Sequence, residues 1–200
     1  IYTLVADVKG MDYFDAKDYV EQDSEVAVDV LLKRIRELPQ YIPTPTDEIG
    51  MSEARLAVYT DVPDIELKKR FLTRSSVDKY GVLWDTENEA WILPIRESES
   101  FALMGWQEKS QKERFFRNKP AGVKKSQTMF GIEKFTSGTM IVVESPLDAV
   151  KLGSFGISGG VSTFGASISN DQIQLMKAAD KLIIAMDNDA AGKKASKDIL

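Results

Sequence analysis

Four acidic residues stand at the ends of apolar runs. Glu144 closes Met140-Ile141-Val142-Val143, and Asp148 follows on the next turn of chain. Asp187 and Asp189 follow Leu182-Ile183-Ile184-Ala185-Met186. Runs of Ile and Val bounded by turn residues read as buried strands of a parallel sheet. Open α/β sheets place their chemistry at the carboxyl ends of strands. Carboxylates from two such ends converge on one point, and their hard oxygens suit Mg²⁺ or Mn²⁺. Each pair also has a plainer reading. Glu144 and Asp148 could complement a helix dipole, and Asp187-Asn188-Asp189 is a common turn sequence. Taken together they would repel one another unless a cation compensates. Gly165 is expected to allow a tight turn at a strand end, and Gly192 a close approach behind the aspartates.

The elements that must position these groups follow from the surrounding pattern. Strand Met140–Val143 leads into a helix with Pro146 in its first turn. Gly159–Phe164 reads as a strand, and Ser169–Ala179 as a helix capped by Ser169 or Asn170. Leu182–Met186 is the next strand and Ala190–Leu200 the next helix. Such alternation means a parallel, right-handed sheet. Upstream, Tyr80–Asp85, Ala90–Ile95 and Ser100–Gln107 read as the strands of a meander. Asp64–Arg74 reads as a helix, with Ser75 or Ser76 capping Val77–Tyr80. Pro39, Pro43 and Pro45 suggest an extended connector, and Ser52–Tyr59 a short helix. At the start, Ile1–Ala6 reads as a strand and Val26–Leu38 as a helix that Pro39 stops.

Composition narrows the chemistry. The chain has 200 residues, 43% of them apolar, without Cys or His. Disulfides, thiolate zinc sites and imidazole bases are therefore excluded. No apolar run is long enough to span a membrane, and a chain opening on Ile is expected to be an excised or processed piece. The net charge of −5 argues against nucleic acid, but its distribution argues the other way. Gln107–Lys125 carries seven cations against two anions, whereas Ile1–Asp29 carries eight acids against two lysines. A basic middle beside an acidic cluster suits a metal site next to a polyphosphate or nucleic-acid track. The plainer reading of the basic run is a solvated loop; Phe115 and Phe116, set among the charges, could be core or base-stacking groups.

Glu144…Asp148, Gly165 and Asp187-x-Asp189-x-x-Gly192 resemble the Toprim domain of topoisomerases and primases over Thr139–Leu200. Trp91–Arg96 resembles the "fPIrd" strand of DnaG-type primases, and Met104–Gln107 their "GfggR" strand. Arg114–Asn118 resembles their "KYlN" segment, and Lys125–Gly131 their "KgrqLYG" segment. Two positions depart from that pattern: Gln107 stands where Arg is frequent, and Ala190 replaces another frequent Arg. The resemblance is not expected to extend to the family's zinc-binding template reader within these 200 residues, since they contain no Cys.

The resemblance implies an α/β protein: a Toprim parallel sheet flanked by helices, with a smaller mixed α+β basic subdomain. The activity implied is template-directed synthesis of short RNA primers on single-stranded DNA, a metal-dependent nucleotidyl transfer using Mg²⁺ or Mn²⁺. Glu144 would be the catalytic carboxylate, as metal ligand or as base. Asp187 and Asp189 would bind metal, with Asp148 and Asp18 in support. Arg114, Arg117, Asn118, Lys124 and Lys125 would contact nucleotide or template. The implied partners are single-stranded DNA, NTPs and a replicative helicase in trans or fused, without a membrane. The implied location is the cytoplasm of a bacterial or phage-infected bacterial cell, and phage forms are the nearer resemblance. A Toprim-type nuclease and a non-catalytic nucleic-acid-binding module are the alternatives. The expected organisation is 1–38 as the last strand, loop and helix of the Toprim domain in permuted order, or as an upstream remnant. Then come 39–63 as linker, 64–136 as the primase-like subdomain and 137–200 as the Toprim core. The permuted order would pair Ile1–Ala6 with the sheet and bring Asp18 to its acidic rim.

Overall fold

The computed structural model describes residues 10, 14, 15, 50–112 and 116–200. The chain divides into two units, Ile1–Asp47 and Glu48–Leu200. The second unit holds all the described residues except 10, 14 and 15. The expected strand Ile1–Ala6, helix Val26–Leu38 and connector up to residue 49 lie outside the described residues, and so does the permuted order that rests on them.

Two short helices open the second unit. Helix α1, Asp64–Arg70, carries Asp64 and Glu66 in its first turn and Lys68, Lys69 and Arg70 in its last. That arrangement complements the helix dipole. The helix expected to run on to Arg74 breaks at Phe71, which is left-handed at φ 58. Helix α2, Arg74–Lys79, restarts with Thr73 as N-cap, its hydroxyl accepting from the Ser76 N–H. Thr73 therefore replaces the expected Ser75 or Ser76 cap, because the left-handed turn sets the restart earlier in the chain.

Strands β1 (Leu83–Asp85), β2 (Ala90–Arg96), β3 (Leu103–Ser110) and β4 (Phe116–Lys119) form an antiparallel sheet in that order. The meander expectation is met, and the basic stretch supplies a fourth strand rather than a loop. Strand β2 is buried along nearly its whole length because both faces are covered. Trp91, Leu93 and Ile95 enter one core, while Ile92 joins Leu103, Trp106 and Leu56 in another. The second core also takes in described residues of the expected 39–63 linker. Met51 bridges Leu103, Thr60 bridges Trp84, and a 3₁₀ turn at Glu53–Leu56 seats Leu56 under the sheet. A four-stranded sheet with two apolar faces must cover both, and Met51, Leu56 and Tyr59 cover one of them.

The second sheet is parallel, in the order β6-β5-β7. Its strands are β5 (Thr139–Val143), β6 (Gly160–Ser162) and β7 (Lys181–Ala185). Helices α3 (Pro146–Ser154), α4 (Asn170–Met176) and α5 (Ala190–Ile199) complete the alternation. The period of two sorts β5 between faces. Met140 and Val142 meet Val161, Met176 and Met129, while Val143 meets Leu147, Val150 and the Trp91 side. Ser169 caps α4 in a reciprocal capping box with Gln172. Strand β7, expected to be buried, is half exposed along its length, with Ile183 39% exposed. Among the described residues it pairs with β5 alone.

One core spans both sheets. Helix α2 fastens it: the Ser76 hydroxyl donates to Val150 O at 2.6 Å, and Tyr80 Oη–H donates to Gly160 O at 2.9 Å. Among the described residues, no helix is long and apolar enough to cross a membrane.

Candidate active site

Glu144 is the residue that leaves β5. Its carbonyl accepts from Gly165 N–H at 3.0 Å and from the Ser162 hydroxyl at 2.8 Å, so the end of β6 holds it in place. Gly165 makes that turn at φ 135, a conformation that favours glycine. Ser145 is then the N-cap of α3, Pro146 occupies its first turn and Asp148 follows in that turn. The Glu144 Oε2 atom is buried and has no hydrogen-bond partner. Burial raises the Glu144 pKa above the ordinary carboxylate range, and Asp187, Asp189 and Asp148 raise it further. Asp187, Asp189 and Asp148 thus lie close enough to Glu144 to act on its charge.

Asp189 is the N-cap of α5, its Oδ1 accepting from Gly192 N–H at 2.8 Å. The turn sequence thus serves a structural purpose as well. A Cβ on Gly192 would lie 2.1 Å from the Asp187 carbonyl oxygen. This accounts for glycine five residues after the first aspartate. Asp148 presents to solvent, yet protein crowds its carboxylate. Desolvation raises its pKa, Lys109 opposes that, and Asp187 adds to it.

The opposite wall comes from β3 and β4. Gln107 pairs with Asn118 and Lys109 with Phe116 in register. Gln107, Phe116, Asn118 and Lys125 line one cleft with Glu144, Phe164 and Gly165. Gln107 Nε2 donates to Asn118 Oδ1 at 3.2 Å, which commits the asparagine oxygen and leaves its amide nitrogen for a ligand. Lys125 Nζ donates to Phe164 O at 2.7 Å, and burial lowers its pKa. Lys109 is the residue that sequence reasoning counted but did not assign. Burial and then Arg70 lower its pKa, while Asp148 and Asp187 hold its charge. Its Nζ lies 5.4 Å from the centre of the Phe116 ring. The signal was the strand period: Lys109 shares a face with Gln107.

The same period turns Arg117 and Lys119 away. Arg117 lines a cavity on the other face with Glu87, Asn88 and Glu108. Lys119 Nζ pairs with the buried Glu108 carboxylate at 2.6 Å. Arg117 is therefore not brought to the acidic cluster; alternation along β4 prevents it. Lys124 is exposed beside the 3₁₀ turn Lys125–Gln127. Arg114 and Asp18 lie outside the described residues.

Among the described residues, no three acidic side chains form a ready-made metal cage. Mg²⁺ does not need one, since it keeps waters and uses one or two carboxylates plus substrate phosphates. The orphaned Glu144 Oε2 and the all-oxygen donor set fit such an ion.

Residues 138–200 match the Toprim domain. The Legionella pneumophila DNA primase is 36% identical over 127 residues, 58% of this chain and 22% of that protein. The Clostridium acetobutylicum DNA primase is 34% identical over 68 residues, 34% of this chain and 11% of that protein. The chain thus spans between about a tenth and a quarter of the curated relatives it matches. Among solved structures, the DnaG primase catalytic domain bound to ssDNA superposes with a TM-score of 0.59 at 20% identity. That match covers 72% of this chain and 62% of the other. The primase fragment of the bacteriophage T7 primase-helicase protein gives 0.58 at 18% identity, covering 75% and 67%. These likenesses show the fold.

Proposed function

From a Toprim domain set within the fold of a DnaG-type primase core, we propose that this chain carries the catalytic centre for primer synthesis. It would join NTPs into short RNA on a single-stranded DNA template. The supporting observation is the buried, unpartnered Glu144 Oε2 among four carboxylates, across a cleft from Lys125 and Asn118. Glu144, Asp187 and Asp189 would hold Mg²⁺ or Mn²⁺, with Asp148 beside them. When bound, the ion would acidify the primer 3′-hydroxyl and offset charge on the phosphoryl oxygens.

The remaining work falls to the chain itself. The hydroxyl oxygen bonds to the α-phosphorus, the α–β bridging bond breaks, and pyrophosphate leaves. Glu144 would either hold the ion or, where Asp187 and Asp189 alone hold it, accept the hydroxyl proton, a role that its raised pKa suits. Lys125 and the Asn118 amide hold the triphosphate. Phe116, which is exposed, offers apolar surface to the base. Lys109 tempers the repulsion between Asp148 and Asp187 before substrate enters. Partnership with a replicative helicase, in trans or fused, and a place in the cytoplasm of a bacterial or phage-infected cell belong to the same proposal. The T7 fragment, which comes from a primase-helicase protein, supports the helicase. The test is incubation with single-stranded DNA, NTPs and Mg²⁺ or Mn²⁺. Short RNA is the expected product. Cut DNA would replace this reading with a nuclease, and DNA binding without product would replace it with a binding module.

A further inference from the structure

Helix α1 leaves through a Schellman ending. Phe71 N–H donates to Leu67 and Lys68 carbonyls, and Leu72 N–H donates to Leu67 O at 2.9 Å. The left-handed position in this ending is normally glycine, because a bulky side chain is strained there. In this chain it is Phe71, at φ 58 and ψ 42. Phe164 and Phe101 are also left-handed, at φ 59 and φ 61; Phe164 is 3% exposed and anchors the core, and Phe101 is 46% exposed in the turn before β3, outside the cation-lined pocket of Phe71. Phe71 is 71% exposed and contributes almost nothing to burial. Strain kept without a packing benefit points to use by a ligand.

The surroundings indicate which ligand. Phe71 shares a pocket with Lys69, Arg70, Leu147, Asp148 and Lys151. Lys151 Nζ lies 5.7 Å from the centre of its ring. Lys69, Arg70 and Lys151 line this pocket, Lys69 being paired with Glu66 at 2.6 Å, in a chain of net charge −5. The helix dipole accounts for the cations at the end of α1, but not for an exposed aromatic ring among them. An exposed ring with an ammonium group beside it matches a base stacked next to a phosphate backbone. The pocket also reaches Asp148, so it adjoins the acidic cluster.

We propose that Phe71, with Lys151 beside its ring and Arg70 lining the same pocket, is a stacking subsite for the single-stranded template next to the acidic cluster. This rests on the primer-synthesis reading. The experiment measures binding of a fluorescent single-stranded DNA oligonucleotide to the full chain by anisotropy, alongside the melting temperature. Phe71→Gly relieves the left-handed strain, so melting should stay level or rise. Affinity should nevertheless fall about fivefold or more, the scale of one lost base stack. Phe71→Asn, which also tolerates this conformation, should lose the same affinity, whereas Phe71→Tyr should keep it. Lys151→Ala should flatten the slope of log affinity against log salt by about 0.7. Parent-like affinity in both Phe71→Gly and Phe71→Asn overturns the subsite alone and leaves the ring to a protein partner. A parent chain that binds no single-stranded DNA overturns the subsite and the primer-synthesis reading together.

Discussion

Gly192→Ala sets two physical effects against each other. Gly192 lies in the first turn of α5, where alanine should favour the helix by up to about 1 kcal/mol. The added methyl, however, would lie 2.1 Å from the Asp187 carbonyl oxygen and 2.9 Å from its carbonyl carbon. Ordinary carbon–oxygen contact is roughly an ångström longer than the shorter of these, and the obstacle is backbone, which has no rotamer to yield. The turn carrying Asp187 and Asp189 must move by about that much or α5 must detach. Overpacking of this kind costs about 1–3 kcal/mol, which outweighs the propensity gain. For a chain of this size each kcal/mol is roughly 2–4 °C of melting temperature. Calorimetry should therefore show a fall of several degrees. The catalytic loss should be larger, since an ångström of misplacement costs on the order of 100-fold in rate. Primer synthesis should drop by about that factor while DNA binding holds. A variant that melts higher than the parent and keeps its activity would refute the close-approach account of this glycine.

Other consequences are open to simpler assays. Glu144→Gln or Asp187→Asn should abolish synthesis with single-stranded DNA still bound, and Mg²⁺ should raise the parent's melting temperature more than either variant's, because binding to the native state stabilises it. Gln107→Met keeps the side-chain volume but frees the Asn118 amide to turn, so KM for NTP should rise about fivefold with kcat little changed, the scale of one lost hydrogen bond; an unchanged KM would dismiss the pair. Glu97 is held at about 2, below the usual carboxylate range, by the Ser100 N–H above all. Its folded pKa lies below its unfolded one, so its stabilising effect is complete above about pH 4.5 and is lost as pH falls toward 2. Glu97→Gln should cost on the order of 1–2 kcal/mol at pH 7, allowing for solvent screening, and progressively less as pH falls through about 2 in urea melts.

The acidic positions were readable because each is fixed by its own neighbours: Ile and Val before it, a turn and helix start after it. The same holds for Gly192 and for the cap at Ser169. What could not be read depends on partners remote in sequence. Whether Arg117 or Asn118 faces the cluster turns on the register of β4 against β3, and one residue of slip would exchange them. Leu56 has no periodicity; it is a core residue because the sheet presents an uncovered face to it. The break at Phe71 defeats pattern reading for the opposite reason, since the residue type contradicts the conformation it adopts. Strand β7 has the composition of a buried strand, but its half-exposed state reflects what flanks it in space.

The core that runs from Trp91 and Leu93 on one sheet to Val143, Leu147 and Val150 on the other bears on modularity. Two sequence blocks with separate family likenesses suggest interchangeable parts. Their side chains instead interleave in one apolar cluster, so neither block can bury its inner face alone. Grafting the block ending near Phe135 onto a foreign Toprim half would require the recipient to match these contacts residue by residue. The junction at Gly138 is thus a boundary of motif and not of inheritance: recombination there breaks a single folding unit, and viable chimeras should carry both blocks from one parent.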